Sequence, residues 1–278
     1  MNRAVTAEAV TDIELDLLLE AVWRRYSYDF RQYARASMRR RVLGAMRRIG
    51  VERVSQLQDA VLHDPAVFTH LLTLISVPVS DFFRDPPYFA ALRADVFPLL
   101  ATYPSLKVWV AGCSTGEEVY SIAILLAELG LLERTLIYAT DINPAALRTA
   151  EDAVYPSARV AGFSRNYQAA GGTGSLADYY TAAYDRVVFD RRLRSRITFS
   201  DHSLATDAVF AEVQFVSCRN VLIYFDRQLQ ERAIQLFHDA LVPRGFLGIG
   251  SRESLLGFRA ASAFELPARE ARIYRRLA

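Results

Sequence analysis

Cysteine, lysine and long apolar runs are what this chain of 278 residues lacks. Its two cysteines, Cys113 and Cys218, cannot build a disulfide framework, so a reducing compartment, the cytoplasm, is expected. The longest apolar stretches, Leu71–Val79 and Ser121–Leu132, fall short of the roughly 18 residues a membrane span needs, so no membrane insertion is expected. Met1–Asp16 carry acids every few positions and no apolar signal-peptide core. The four histidines, His63, His70, His202 and His238, are scattered, and no His/Cys/acid cluster has ligand spacing, so no metal is expected. Internal repeats and low-complexity tracts are absent. What is present is a globular composition: 52% hydrophobic and 23% charged residues exclude disorder, collagen and coiled coil, and the length fits one large domain or two unequal ones.

Of the 33 basic residues, Lys107 alone is lysine, a bias that genomic composition explains. Their placement says more. Between Trp23 and Val51 stand nine arginines against one acid, Asp29, while the whole chain carries only +2. Ala36–Ile49 reads as an amphipathic helix with Met38, Val42, Ala45, Met46 and Ile49 on one face and Arg39, Arg40, Arg41, Arg47 and Arg48 over the other. Three readings of that basic face stand open: a solvated surface, a phosphate-contacting surface, and a dock for an acidic protein. No aromatic-plus-basic motif supports nucleic acid.

The rest of residues 1–75 also reads as helices: Ile13 to Trp23 capped by Asp12, Ser55–His63, and a segment opened by Pro65. After Pro78 the pattern changes. Leu106–Ala111, Leu136–Thr140, Ile197–Phe199, Val213–Ser217 and Phe246–Gly250 are predicted strands, with Pro243-Arg244-Gly245 a turn before the last. Helices are predicted over Glu117–Leu129, from Pro144, and over Asp226–Leu241. Strands alternating with helices predict an α/β fold, a parallel sheet with helices on both faces. Residues 156–196 break the alternation and read as an insertion with its own small sheet or a long loop.

The strongest local signal is strand, glycine turn, helix over Val108–Val119. Such a turn at the carboxyl end of a first parallel strand presents backbone N–H groups to a ligand. Asp141 ends the next strand, where a carboxylate accepts hydrogen bonds from ribose hydroxyls. The Gly-Lys-Ser/Thr of a phosphate loop and the third glycine of the dinucleotide fingerprint are missing. Glu117 and Glu118 would repel pyrophosphate and suit a positively charged ligand. S-adenosylmethionine has a ribose, an α-amino group and a sulfonium, and no phosphate.

Four motifs in order carry a resemblance: ISVPVSDFFRDP ending at Pro86, WVAGCSTGEEVYS over Trp109–Ser121, ATDIN over Ala139–Asn143, and CRNVLIYFD over Cys218–Asp226. Together they resemble the chemotaxis receptor methyltransferases, the CheR family, over nearly the whole chain. The resemblance implies a Rossmann-like class I S-adenosylmethionine-dependent methyltransferase with an N-terminal helical domain and a small inserted β-subdomain. Residues 1–78 would be the helical domain with its basic docking helix near 36–49, residues 79–278 the methyltransferase domain, and about 156–196 the insertion. It implies methyl esterification of glutamate side chains on cytoplasmic regions of chemoreceptors. The cofactor would be S-adenosylmethionine, leaving S-adenosylhomocysteine. A cofactor-binding regulatory module, or a methyltransferase acting on a different protein, is the alternative.

By the same resemblance, Arg84 and Tyr224 fall beside the transferred methyl group. Ser80, Arg84, Ala111, Gly112, Glu118, Asp141, Ser203, Leu204, Cys218, Arg219 and Asn220 fall at cofactor-contacting positions. Arg39, Arg40, Arg47 and Arg48 would dock on the glutamate-rich helical bundle of the receptor, and the chain would act as a monomer with no nucleic-acid partner. The family usually has asparagine where Pro78 stands, threonine where Ser80 stands, and asparagine-leucine where Ser203-Leu204 stands. The duller readings pair Arg84 with Asp85 or Glu118, bury Phe82-Phe83 as core, and make both cysteines packing residues.

Overall fold

A computed structural model describes residues 6–76 and 79–278, apart from the Ala7 side chain; Pro78 lies outside the described residues. The chain forms two compact units.

The first unit holds four helices together with 203–206 and 224–232. Helix α1 (Ala7–Tyr26) is capped by the Thr6 hydroxyl, which accepts the Ala9 N–H, so it starts a turn and a half before the expected Asp12 cap. Helix α2 (Arg35–Ile49) ends at Gly50 in the left-handed conformation. Helices α3 (Val54–His63) and α4 (Pro65–Ile75) follow, the latter with Asp64 as cap and Pro65 in the first turn. The predicted apolar faces meet: Leu15, Leu18, Leu19 and Val22 of α1, Met38, Val42, Ala45 and Met46 of α2, and Leu57, Val61, Leu71 and Leu72 are all buried.

The second unit opens with a helical stretch that sequence reading missed. It runs through α5 (Pro86–Ala91), a π-turn (Leu92–Val96) and α6 (Phe97–Leu100). Pro98 has no N–H to give a regular ladder, and the wider turn precedes it. Then come β1 (Leu106–Ala111), α7 (Glu117–Glu128), β2 (Thr135–Asp141), α8 (Pro144–Asp152), β3 (Val154–Pro156), α9 (Val160–Ala169), β4 (Tyr180–Ala183), β5 (Arg186–Phe189), α10 (Arg191–Arg194), β6 (Ile197–Asp201) and β7 (Val213–Cys218). Helix α11 (Arg227–Ala240), β8 (Leu241–Ile249), β9 (Phe264–Ala268) and β10 (Ile273–Arg276) complete the chain.

The main sheet has seven strands in the order β6-β2-β1-β7-β8-β10-β9. Strands β6, β2, β1, β7 and β8 are mutually parallel, and β10 runs antiparallel to both β8 and β9. From β1 the chain winds outward through β2 to β6, then returns to the other side of β1 as β7. The direction of winding therefore reverses between β1 and β7, and a ligand crevice opens beyond the carboxyl ends of strands at such a point. The expected turn at Pro243–Gly245 is absorbed within β8: the pairing jumps from Val213–Leu241 to Phe215–Phe246, and Arg244 takes φ 65°. The insertion does carry its own sheet, in the order β3-β5-β4 and antiparallel throughout. Phe82 stacks on Phe189 of β5 at 4.3 Å and is fully buried, as is Phe83, so that pair is core.

Candidate functional site

The glycine turn leaves β1 at Ala111. Gly112 has φ 71°, and a Cβ there would come within 2.5 Å of the Val221 side chain, so both conformation and space require glycine. The Cys113 N–H bonds the Thr140 carbonyl at 2.9 Å, tying the turn to the end of β2. There Asp141 accepts the Ser114 N–H on Oδ2 and the Asn143 N–H on Oδ1, both at 2.8 Å. Burial raises its pKa, and the backbone N–H groups pull it back down. The Ile142 N–H also bears on the carboxylate, which still keeps acceptor capacity for a further donor.

The two acids that follow the turn have different fates. Glu117 points inward, 1% exposed, where Arg159 meets it at 2.9 Å and the Thr115 hydroxyl donates to it at 2.6 Å. Its charge is consumed inside the fold, which corrects the expectation that both acids face a cationic ligand. Glu118 accepts from Arg219 Nη1 at 3.0 Å and from the Ser217 hydroxyl at 2.6 Å. Arg219 reaches on to Asp85 at 2.6 Å and to the Arg84 carbonyl at 3.0 Å, with its guanidinium 4.1 Å from the centre of the Tyr88 ring. The Tyr88 hydroxyl meets Ser217 at 2.7 Å. Burial and the nearby Glu118 charge push that hydroxyl's pKa up, so it stays protonated.

This network decides how Arg84 is used. Asp85 and Glu118, its two expected partners in an ordinary ion pair, both pair with Arg219 instead. The half-buried Arg84 guanidinium has no ion pair among the described residues and makes one long contact, 3.4 Å to the Val79 carbonyl. The Ser80 carbonyl accepts from Arg159 at 2.6 Å. Cys113 and Cys218 are buried, and burial pushes both thiols' pKa values well up, which makes them packing residues.

Asn220 follows Arg219 with φ 59°, and its Oδ1 is buried without a hydrogen-bond partner among the described residues; the Ser114 hydroxyl oxygen and Arg219 Nε share that condition. Sequence reading missed Glu253, Ser217 and Tyr88. Glu253 is 5% exposed and accepts backbone N–H groups from Asn220, Ile223 and Gly250. An acid just after an apolar strand was the one visible signal, and it names no partner.

Ser203, Leu204 and Tyr224 belong to the first unit. There the Arg41 guanidinium lies 4.4 Å from the centre of the Tyr224 ring, and the Tyr224 carbonyl accepts the Ala34 N–H at 2.8 Å. Leu204 is buried. Of the four arginines expected to dock a partner, Arg39 is held by Glu8 at 3.2 Å and Asp12 at 3.3 Å, which corrects its assignment to an open basic face. Arg40, Arg47 and Arg48 are exposed and carry no salt bridge among the described residues.

Two family models match the chain: CheR methyltransferase, SAM binding domain, over residues 78–267, and CheR methyltransferase, all-alpha domain, over residues 13–76. The Cher3 protein of Pseudomonas putida strain KT2440 is 54% identical over 272 residues, which span 98% of this chain and 100% of that one. A chemotaxis protein methyltransferase of Listeria monocytogenes is 30% identical over 251 residues, 89% of this chain and 93% of its own length. Among solved structures, the glycopeptide N-methyltransferase MtfA complexed with sinefungin aligns at a TM-score of 0.37 and 13% identity, over 62% of this chain and 50% of that one.

Proposed function

Since the chain belongs to the CheR methyltransferase family and is an S-adenosylmethionine-dependent protein methyltransferase, we propose that it methyl-esterifies glutamate side chains on the cytoplasmic regions of chemoreceptors. The observation that carries this reading is Arg84: a half-buried guanidinium whose neighbouring carboxylates are both taken, and which is therefore available to an incoming one.

The crevice fits the cofactor. Gly112 brings backbone to the rim where a side chain could not fit. Asp141 has lone pairs for ribose hydroxyls. Asn220 Oδ1 and the Ser114 hydroxyl, without partners among the described residues, offer acceptors to an ammonium or hydroxyl. Arg219, the cation that would otherwise attract phosphate, is neutralised by Glu118 and Asp85. Ala111, Gly112, Glu118, Asp141, Cys218, Arg219 and Asn220 would hold the cofactor, joined by Ser80. When bound, S-adenosylmethionine supplies a methyl group on a sulfonium.

The chain's own task is placement. A glutamate is ionised at neutral pH, so no general base is required of the protein. Arg84 holds the substrate carboxylate in line with the methyl donor. The exposed Arg40, Arg47 and Arg48 of α2 attract an acidic receptor surface and speed encounter, an effect that salt screens. Among the described residues no helix is long and apolar enough to cross a membrane. We place the protein in the cytoplasm, acting as a monomer.

Incubating the protein with radiolabelled S-adenosylmethionine and receptor cytoplasmic fragments tests the reading. Label released by mild base marks a carboxyl ester and supports it. Base-stable label, or label on a different protein only, contradicts it.

A further inference from the structure

We infer that Glu253 is a positioning residue for the cofactor: it holds Asn220 in the left-handed conformation that keeps its side-chain carbonyl oxygen available to a hydrogen-bond donor of S-adenosylmethionine. The inference rests on the cofactor reading above and adds to it a residue outside the four sequence motifs.

Glu253 lies just beyond β8, buried, with no ion pair among the described residues. A buried carboxylate needs compensation, and here backbone supplies it. Oε2 accepts the Gly250 N–H at 2.6 Å and the Asn220 N–H at 3.0 Å, and Oε1 accepts the Ile223 N–H at 3.2 Å. Strands β7 and β8 are parallel neighbours, so one carboxylate ties the loop leaving β7 to the loop leaving β8. Both loops lie at the carboxyl ends of their strands, where the crevice opens.

Gly250 shows how closely the three groups fit. A Cβ there would sit 2.7 Å from Glu253 Oε2 and 2.8 Å from both Asn220 N and Asn220 Nδ2. The clasp fixes the Asn220 backbone at φ 59°, a conformation asparagine tolerates better than most residues. A brace that served the fold alone would leave no buried acceptor unpaired, yet Asn220 Oδ1 has no partner among the described residues. An acceptor kept dry and unpaired by a rigid frame is prepared for a donor that arrives with the ligand, an ammonium or a hydroxyl.

Calorimetric binding of S-adenosylhomocysteine and thermal melting of the unliganded full chain test this in wild type, Asn220→Gly, Glu253→Gln and the double variant. Asn220→Gly keeps the positive φ and removes the side-chain amide, acceptor included. It is expected to weaken binding about tenfold with little change in melting temperature. Glu253→Gln turns an amide donor toward backbone donors and is expected to weaken binding at least as much. The double variant should bind no worse than Glu253→Gln, because both changes act through one contact. Asn220→Gly binding like wild type, or losses that simply add, would overturn the inference. Should Glu253→Gln not fold, Gly250→Ala presses on the same contacts and is read in its place by the same criteria. A wild-type chain that does not bind S-adenosylhomocysteine would overturn the cofactor reading itself, and this inference with it.

Discussion

Arg219 and the arginines of α2 put the same side chain to opposite uses. Arg219 is 6% exposed and held between Glu118, Asp85 and the face of Tyr88. Arg40, Arg47 and Arg48 stand in water with no salt bridge among the described residues. A guanidinium removed from water must be met by carboxylates at fixed positions, so it organises its surroundings and strips nearby acids of other roles. One left in water contributes field rather than geometry, and salt weakens it. Arg84 lies between these extremes, partly buried and without an ion pair among the described residues, which is the state the proposed role for it uses.

The largest consequence belongs to the buried member. Arg219→Met should cost about 3 kcal/mol or more in urea unfolding, since it leaves Glu118 uncompensated in a low-dielectric setting. By contrast Arg47→Ala should stay within about 0.5 kcal/mol of wild type. Equal effects for the two would dissolve the contrast. Next in size, Arg84→Ala should lower turnover at least about tenfold while the melting curve is preserved; unchanged kinetics would remove Arg84 from the mechanism. Asp141→Ala should weaken S-adenosylhomocysteine binding about tenfold by calorimetry, because the ribose loses its acceptor and Ser114 and Asn143 lose theirs.

Smaller effects are expected at the surface. Reversing charge in α2, as in the pair Arg47→Glu and Arg48→Glu, should raise KM for the receptor fragment several-fold at low salt and leave cofactor affinity alone. A response of wild type that stays flat from low to moderate ionic strength would return α2 to the solvated-face reading. The smallest effect concerns Asp29, whose pKa the Arg31 side chain holds below the usual carboxylate range by hydrogen bonding. A depressed folded-state pKa means stability that is present above the unfolded value and lost as pH falls through the folded one. Asp29→Asn should therefore lower the neutral plateau slightly and flatten the acid limb, with stability at low pH, where the wild-type carboxyl is protonated, close to that of wild type.

How much of this was legible in the sequence follows from distance along the chain. Helix α2, the turn at Gly112 and the strand ending at Asp141 are local patterns, and each formed within a residue or two of its expected place. The N-terminus of α1 was misplaced because Asp12 satisfies the capping rule as well as Thr6 does, and only packing separates them. The second half of β8 was expected as Phe246–Gly250, while its first half hid behind Pro243-Arg244-Gly245, turn chemistry that the sheet accommodates as a register jump. Strand β9 is a short edge element and β10, between β8 and β9, is shorter still; neither carries a long apolar run, and both escaped notice. The site divides in the same way. Its motifs could be read locally, but the competition for Asp85 and Glu118 sets Arg84 against Arg219, far away in sequence. No spacing rule reveals which arginine wins.

Tandem mass spectrometry of a receptor cytoplasmic fragment, after incubation with the protein and S-adenosylmethionine, reads carboxylate methylation residue by residue. A single added methyl is expected on particular glutamates, absent with Arg84→Ala and removed by mild alkali. Methyl groups confined to lysine, arginine or a chain terminus would contradict the proposed function.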